Sequence, residues 1–157
     1  MPIFRQYYGG IKMRMYLFVA LFFIVGLGAF ADDEAATEAS RIIRDFAKHE
    51  ALLGQPVPTD FKRFSLDGFF SPDGRTIVTT GANNRIVIVL MPTKFRTDSE
   101  AVRFTGLMCD FVESSGGQLV SIDGDGFGYH MRNLSVHISF PRYSDGDFLA
   151  AIHIANR

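Results

Sequence analysis

The side chains that are best placed by type and spacing to do chemistry are two aspartates and two histidines in the last third of the chain. Asp123 and Asp125 lie in the run DGDGFG, which has oxygen ligands at the first and third positions of a calcium-binding loop and glycine at the sixth. The twelfth position, where such a loop needs a bidentate glutamate, is Leu134. We therefore predict a tight glycine–aspartate turn, with a metal site at the two aspartates as the alternative.

His137 and His153 lie in two segments near the C-terminus that alternate between apolar and polar residues. Such alternation predicts two strands with one apolar and one polar face. If the two strands pair as a hairpin, both imidazoles share the polar face on adjacent strands, at opposite positions ~5 Å apart. That spacing would suit a shared metal ion or a pH-sensitive charge. Because zinc usually needs a third protein ligand, we expect two solvated imidazoles, with the metal pair as the alternative.

The sequence has no recognisable pattern for nucleophilic or cofactor chemistry. The single cysteine, Cys109, falls at the margin of an apolar helical stripe, which predicts a buried structural thiol. No G-x-S-x-G, H-E-x-x-H, phosphate-binding loop or dinucleotide-binding glycine pattern occurs. We therefore expect no cofactor and lean towards a protein that is not an enzyme. A small hydrolase or isomerase whose site is assembled from distant residues remains an alternative.

Two amphipathic helices are expected to position these side chains. Residues 32–53 carry apolar side chains at three- and four-residue spacing, with His49 expected on the polar face. Residues 98–115 have a broader apolar stripe, with Asp98 or Ser99 as the expected cap and Phe104 and Phe111 at its centre. Both phenylalanines are expected to be buried against a sheet.

Antiparallel strands are predicted before and after the second helix. The segment 70–89 contains the turn sequence SPDG and resembles two strands of a WD-repeat propeller blade. This phrase occurs once and lacks the terminal Trp-Asp, so the resemblance implies a hairpin and no function. Residues 85–91 are almost entirely apolar, which predicts a central strand covered on both faces. The final strand, residues 148–156, is expected at an edge of the sheet.

Together these elements predict an α+β fold. We expect a single domain with a mainly antiparallel sheet of about five or six strands and two helices packed on it. An N-terminal hydrophobic export segment precedes this domain. Residues 1–31 are accordingly predicted to be a signal peptide or membrane anchor, and residues 32–157 a globular domain.

The export prediction rests on the uncharged apolar run Met15–Ala31. The charged residues before this run are all basic, and acidic residues follow it directly. This arrangement orients the segment with its N-terminus in the cytoplasm. Ala29 and Ala31 stand at the −3 and −1 positions of a signal-peptidase site, and the run is borderline short for a membrane span. We predict a periplasmic or secreted protein. The alternative is an inner-membrane anchor formed by residues 15–31, with the C-terminal domain outside the cytoplasm.

Charge narrows the choice of partners. All 17 acidic residues and all but three of the 16 basic ones follow residue 31, so that part has a formal charge of −4. This balance argues against a nucleic-acid surface, which needs clustered excess lysine and arginine. The first expectation is a small non-enzymatic domain that acts by contact with an envelope or membrane protein, as an accessory or assembly subunit. The alternative is a ligand- or ion-binding module that uses the Asp123–Asp125 loop or the face with His137 and His153.

Overall fold

The computed structural model describes residues 33–157, which form one α+β domain with two helices and a nine-stranded antiparallel sheet. The expected fold class is confirmed. The predicted signal peptide or anchor lies outside the described residues. Neither helix in the described part of the chain is long and apolar enough to span a membrane.

The two helices are close to those that the sequence predicts. They are α1 (Glu34–Glu50) and α2 (Asp98–Ser114). The Asp33 side chain caps α1 by accepting a hydrogen bond from the backbone N–H of Ala36, while Thr97 caps α2 in the same way. Thr97 therefore takes the role that was expected of Asp98 or Ser99.

The helices pack side by side on one face of the sheet. Near their N-termini the backbone N–H of Ala35 donates to the Glu100 carboxylate at 2.8 Å. Towards their C-termini the rings of Phe46 and Phe111 meet edge to face, with centroids 5.2 Å apart. Phe104 is fully buried as predicted, whereas Phe111 is only partly buried at the helix–helix contact.

The nine strands exceed the five or six that were expected, because three of them contain only two or three residues. The strands are β1 (Lys62–Arg63), β2 (Gly68–Phe70), β3 (Ile77–Thr80), β4 (Ile86–Phe95), β5 (Gln118–Ile122), β6 (Gly126–Met131), β7 (Leu134–Ser139), β8 (Arg142–Ser144) and β9 (Asp147–Asn156). Their order across the sheet is β1-β2-β3-β4-β9-β7-β6-β5, and β8 pairs with β9. The short strands β1, β2 and β8 are too short to show a periodic pattern in the sequence.

The position of β9 corrects the prediction of an edge strand. β9 lies between β4 and β7, with Met91 paired to Ile152 on one side and Ile138 paired to Ile152 on the other. It therefore joins the meander β1–β4 to the meander β5–β7. The edges of the sheet are β1 and β5.

The two faces of the sheet differ in what covers them. The covered face packs against the helices and carries the buried side chains of alternate residues. Those from the three central strands include Val89, Met91, Thr93, Phe95, Leu134, Val136, Ile138, Ala150, Ile152 and Ile154. The other side, here called the open face, carries the side chains in between. On β4, β7 and β9 these include Ile88, Leu90, Pro92, Lys94, Ser135, His137, Ser139, Leu149, Ala151, His153 and Ala155.

The prediction that residues 85–91 are covered on both sides is wrong, because one side of this strand belongs to the open face. Val87 and Ile88 are 42% and 37% exposed, although the strand is central as predicted. Its apolar residues therefore line a surface of the molecule as well as its core.

Candidate functional site

The two histidines of the predicted site come together on the open face. His137 of β7 is paired directly with His153 of β9, and the ring centroids are 5.5 Å apart with the rings nearly perpendicular. The hairpin register that the alternation predicted is confirmed. Burial lowers the pKa of His153, and the neighbouring His137 lowers that pKa further. His153 is therefore a neutral imidazole at pH 7.

The two aspartates occupy a tight turn between β5 and β6. One carboxylate oxygen of Asp123 accepts hydrogen bonds from the backbone N–H groups of Asp125 and Gly126, at 2.8 and 3.1 Å. The same oxygen lies 4.0 Å from Nε2 of His137. Asp125 forms an ion pair with Arg142, which follows β7. The expected turn is present, and both carboxylates have partners within the protein.

The four candidate metal ligands thus lie in one region without forming a cluster. Among residues 33–157, no group of three or more histidine, cysteine, aspartate or glutamate side chains is arranged to hold a metal ion. Asp123 and His137 are neighbours, as are His137 and His153, whereas the Asp125 carboxylate is turned towards Arg142.

A groove of about 790 Å³ starts beside the histidines. It exists because β3 and β4 differ in length: β3 begins at Ile77, opposite Leu90, and β4 continues to Phe95. Residues 91–95 therefore have no strand partner on that side. The groove passes from the open face round this free edge of β4 to the first half of α1. Its lining is Glu34, Glu38, Arg41, Gly74, Arg75, Ile77, Pro92, Thr93, Lys94, Asp125, His137, Ser139, Phe140, Arg142, Leu149, Ala150, Ala151 and His153.

Thr93 is the polar residue of this lining whose hydroxyl is buried without a hydrogen-bond partner among the described residues. It is 6% exposed, and its hydroxyl is the one buried side-chain polar atom among the described residues that has no hydrogen-bond partner. On β4 it alternates with Met91 and Phe95, so it lies on the covered side of the free edge. A buried hydroxyl without a partner loses its hydrogen bonds to water and gains none in return.

The charges in the groove are only partly compensated. Arg41 pairs with Glu38 at 2.8 Å, and Arg142 pairs with Asp125. Arg75, next to the SPDG turn, and Lys94 form no ion pair with any other described residue. One acidic side chain of the lining, Glu34, is likewise without an ion pair among the described residues.

The cysteine lies on α2 and does not line the groove. The neighbouring Tyr129 hydroxyl donates to the Glu113 carboxylate at 2.9 Å. Burial raises the pKa of the Cys109 thiol to about 12. The thiol is therefore protonated at neutral pH, as expected of a structural cysteine and not of a nucleophile.

Sequence reasoning missed the role of His49 and the position of Thr93. His49 is buried: its Nδ1–H donates to the backbone carbonyl of Asp45 at 2.9 Å, and Nε2 accepts from the Thr76 hydroxyl at 3.0 Å. The spacing of His49 from Phe46 places it on the apolar stripe, a signal that could have been used. Thr93 likewise continues the two-residue period of the buried positions of β4.

Comparison with known proteins adds no likeness from which a function could be transferred. No protein family, no curated protein and no solved structure matches this chain.

Proposed function

We propose that residues 33–157 form a non-enzymatic domain that binds a small ligand in the groove of the open face. The observation that carries the proposal is the groove itself. Its volume of about 790 Å³ lies in the range of roughly 300–1,000 Å³ that is typical of ligand sites. Its apolar floor, provided by Ile77, Leu149 and Ala151, is also typical of such sites.

The side chains near the groove support binding more than turnover. The Cys109 thiol is protonated and remote from it. Ser139, two residues from His137 on the same face, has its hydroxyl oxygen engaged as the acceptor for the backbone N–H of Ala151 at 2.8 Å. A serine nucleophile must also donate its proton to a base, and the Ser139 hydroxyl donates to no described residue.

A matched pair of substitutions on one strand tests this proposal. Ala151 lines the groove, whereas Ala155 lies four residues further along the open face of β9 and outside it. We expect compounds from a fragment library to shift the amide resonances of residues 149–153 and of Lys94. Ala151→Phe should abolish these shifts, and Ala155→Phe should preserve them. Equal responses in the two variants, or shifts distributed over the whole domain, would contradict a ligand site in the groove.

We also propose that the domain works outside the cytoplasm, with residues 1–31 removed after Ala31. The support is the basic leader, the apolar run Met15–Ala31 and the small residues at its end. The intact mass of protein recovered from the envelope or medium should correspond to a chain that starts at Asp32. A full-length species that carbonate does not extract from membranes would show a retained anchor instead.

A second candidate function, contact with another envelope protein, is favoured by the edge strand β5. Four of its five residues are exposed, and Val120 and Ile122 are 52% and 46% exposed. The strand contains no charge and no proline, the features that usually protect an edge. The opposite edge, β1, has only two residues, Lys62 and Arg63, and both are charged.

Cross-linking in the native host separates this candidate from the first. Val120→Lys places a charge on the edge strand, and Val87→Lys places one at a similarly exposed site on β4, 42% exposed in the protein. Contact through β5 predicts that Val120→Lys removes a cross-linked partner that Val87→Lys retains. If both variants keep the same partners, β5 is not the contact.

A further inference from the structure

We infer that the ligand of the groove is an organic anion with a short apolar body. Its charged end would lie at the free edge of β4, near Thr93, Lys94 and Arg75, and its apolar part would lie along the open face. This inference rests on the proposed ligand-binding function and specifies the class of ligand.

The first argument is the hydroxyl of Thr93. This side chain is buried, lines the groove, and finds no hydrogen-bond partner within the described protein. Rotation about χ1 between staggered positions exchanges the hydroxyl with the methyl group, so the hydroxyl can turn to a ligand atom beside it. A hydroxyl donates one hydrogen bond, and a bond to a charged acceptor is stronger than one to a neutral acceptor. A carboxylate or phosphate oxygen at the free edge would supply that acceptor.

The second argument is the local balance of charge. The groove lining contains four arginine and lysine side chains against three carboxylates, in a part of the chain whose formal charge is −4. Two of the carboxylates, those of Glu38 and Asp125, already pair with arginines. Arg75 and Lys94 line the same groove without an ion pair among the described residues, against one unpaired carboxylate, that of Glu34, so the groove favours a negative group.

The third argument is the apolar floor. From the free edge towards the histidines the groove is lined by Pro92, Ile77, Leu149 and Ala151. These side chains offer no hydrogen bond to a fully hydrated ion such as free phosphate. They suit a short alkyl or similar apolar body, whose transfer from water is favourable in proportion to its buried area.

Three probes of matched structure test the inference: octanoate, 1-octanol and acetate, titrated into the protein in the form that its host accumulates. Octanoate carries both the charge and the apolar body, and each of the others lacks one of them. We expect saturable octanoate binding, detected by calorimetry and by amide shifts at residues 92–94. Octanoate should bind at least about tenfold more tightly than either other probe, the size expected for a charge-assisted hydrogen bond or for loss of the apolar contact.

Four variants assign the binding to its residues. Thr93→Val keeps the shape of the side chain and removes the hydroxyl, and we expect octanoate binding to weaken about tenfold. Lys94→Gln and Arg75→Gln should each weaken it to a similar degree. Arg157→Gln makes the same change of charge at the exposed C-terminus, beyond the opposite end of β9, and should leave the affinity within about twofold.

The outcomes separate this inference from the proposed function on which it rests. If octanol binds in the groove as tightly as octanoate, the domain is a ligand-binding module but the ligand is not an anion. If Thr93→Val binds octanoate like the unaltered protein, the assignment of the charged end is wrong. Binding to vesicles of anionic phospholipid without binding of octanoate would show a membrane surface to be the partner. Failure of every probe and of the fragment library would overturn both proposals.

Discussion

The covered and open faces of the sheet are formed by the same strands, but the covered face forms the core and the open face forms a surface of the molecule. On β9, Ile152 and Ile154 are buried beneath the helices, while His153 between them is half-buried on the open face. Successive residues of β9 thus lie alternately in the core and on the open face, which no helix or strand of the described residues covers. The alternation means that stability and ligand binding can be changed separately, by substituting residues that differ by one position.

The largest effect that separates the covered face from the open face is the loss of stability expected from substitution of Phe104. Its ring is fully buried on the covered side and lies 5.2 Å from that of Phe95. Phe104→Ala should lower the free energy of unfolding by ~3–5 kcal/mol, because it leaves a large cavity. Urea denaturation measures this loss. The partly buried Phe111 is the control, and Phe111→Ala should cost less. Equal losses would show that the contact between the helices is as important as their contact with the sheet.

The next effect has the opposite sign and concerns the free edge of β4. Thr93→Val should raise the free energy of unfolding by ~1–3 kcal/mol in the absence of ligand, because it removes a buried hydroxyl without a partner. Thermal unfolding tests this. Thr105→Val is the matched control: the Thr105 hydroxyl donates to the backbone carbonyl of Ala101 at 3.1 Å, so this change should not stabilise. A destabilised Thr93→Val protein would mean that its hydroxyl has a partner in solution.

A smaller loss of stability is expected when the pH is lowered, because His49 is buried on the covered side of the sheet. Burial lowers the pKa of His49 from its ordinary value of 6.5, and the hydrogen bond to the Asp45 carbonyl only partly opposes this effect. Below pH 6.5 the unfolded chain therefore binds a proton that the folded protein does not. The contribution of His49 to the free energy of unfolding should be fully present above that pH and should decrease as the pH falls towards the lowered pKa.

Urea denaturation at pH 7.5 and pH 5.5 measures this loss, in a window where aspartates of ordinary pKa remain ionised. In His49→Gln the difference between the two pH values should become smaller, because the contribution of His49 is removed while that of the lowered pKa of His153 remains. An unchanged difference would exclude His49 as the origin of the pH dependence.

The smallest expected effect distinguishes the two histidines of the open face. Burial is the main reason for the low pKa of His153, and the charge of His137 is a secondary one. His137→Asn should therefore raise the pKa of His153 only part of the way to its ordinary value. Titration of the imidazole resonances by NMR measures this. A full return to 6.5 would show that the pair of histidines, and not burial, controls the site.

Local patterns predicted the helices and the register of the C-terminal strands. The stripe that contains Phe104 defines α2, and the alternation around His137 and His153 determines how β7 meets β9. These features depend on residues that are near one another in the chain. The missed role of His49 was also accessible, because its spacing follows the stripe of α1.

The position of β9 and the groove could not be predicted in the same way. The pairing of Ile88 with Ala155 joins distant parts of the chain, and neither residue type indicates its partner. The groove exists because β3 begins opposite Leu90 and leaves the last part of β4 unpaired, and Arg75 and Lys94 are brought into the groove by that difference. Its residues share no motif, because the site is assembled by topology and not by spacing.

The central position of β9 has a consequence for how the chain is made. The ten residues that join the two halves of the sheet form the last strand of the domain in chain order, so they are synthesised after every other strand. Until then β4 and β7 each lack a neighbour and the domain cannot complete its core, so we expect it to fold only after β9 has been synthesised. Formation of such long-range pairs is slow. Loss of β9 would leave two separate half-sheets with exposed edges, which favour aggregation.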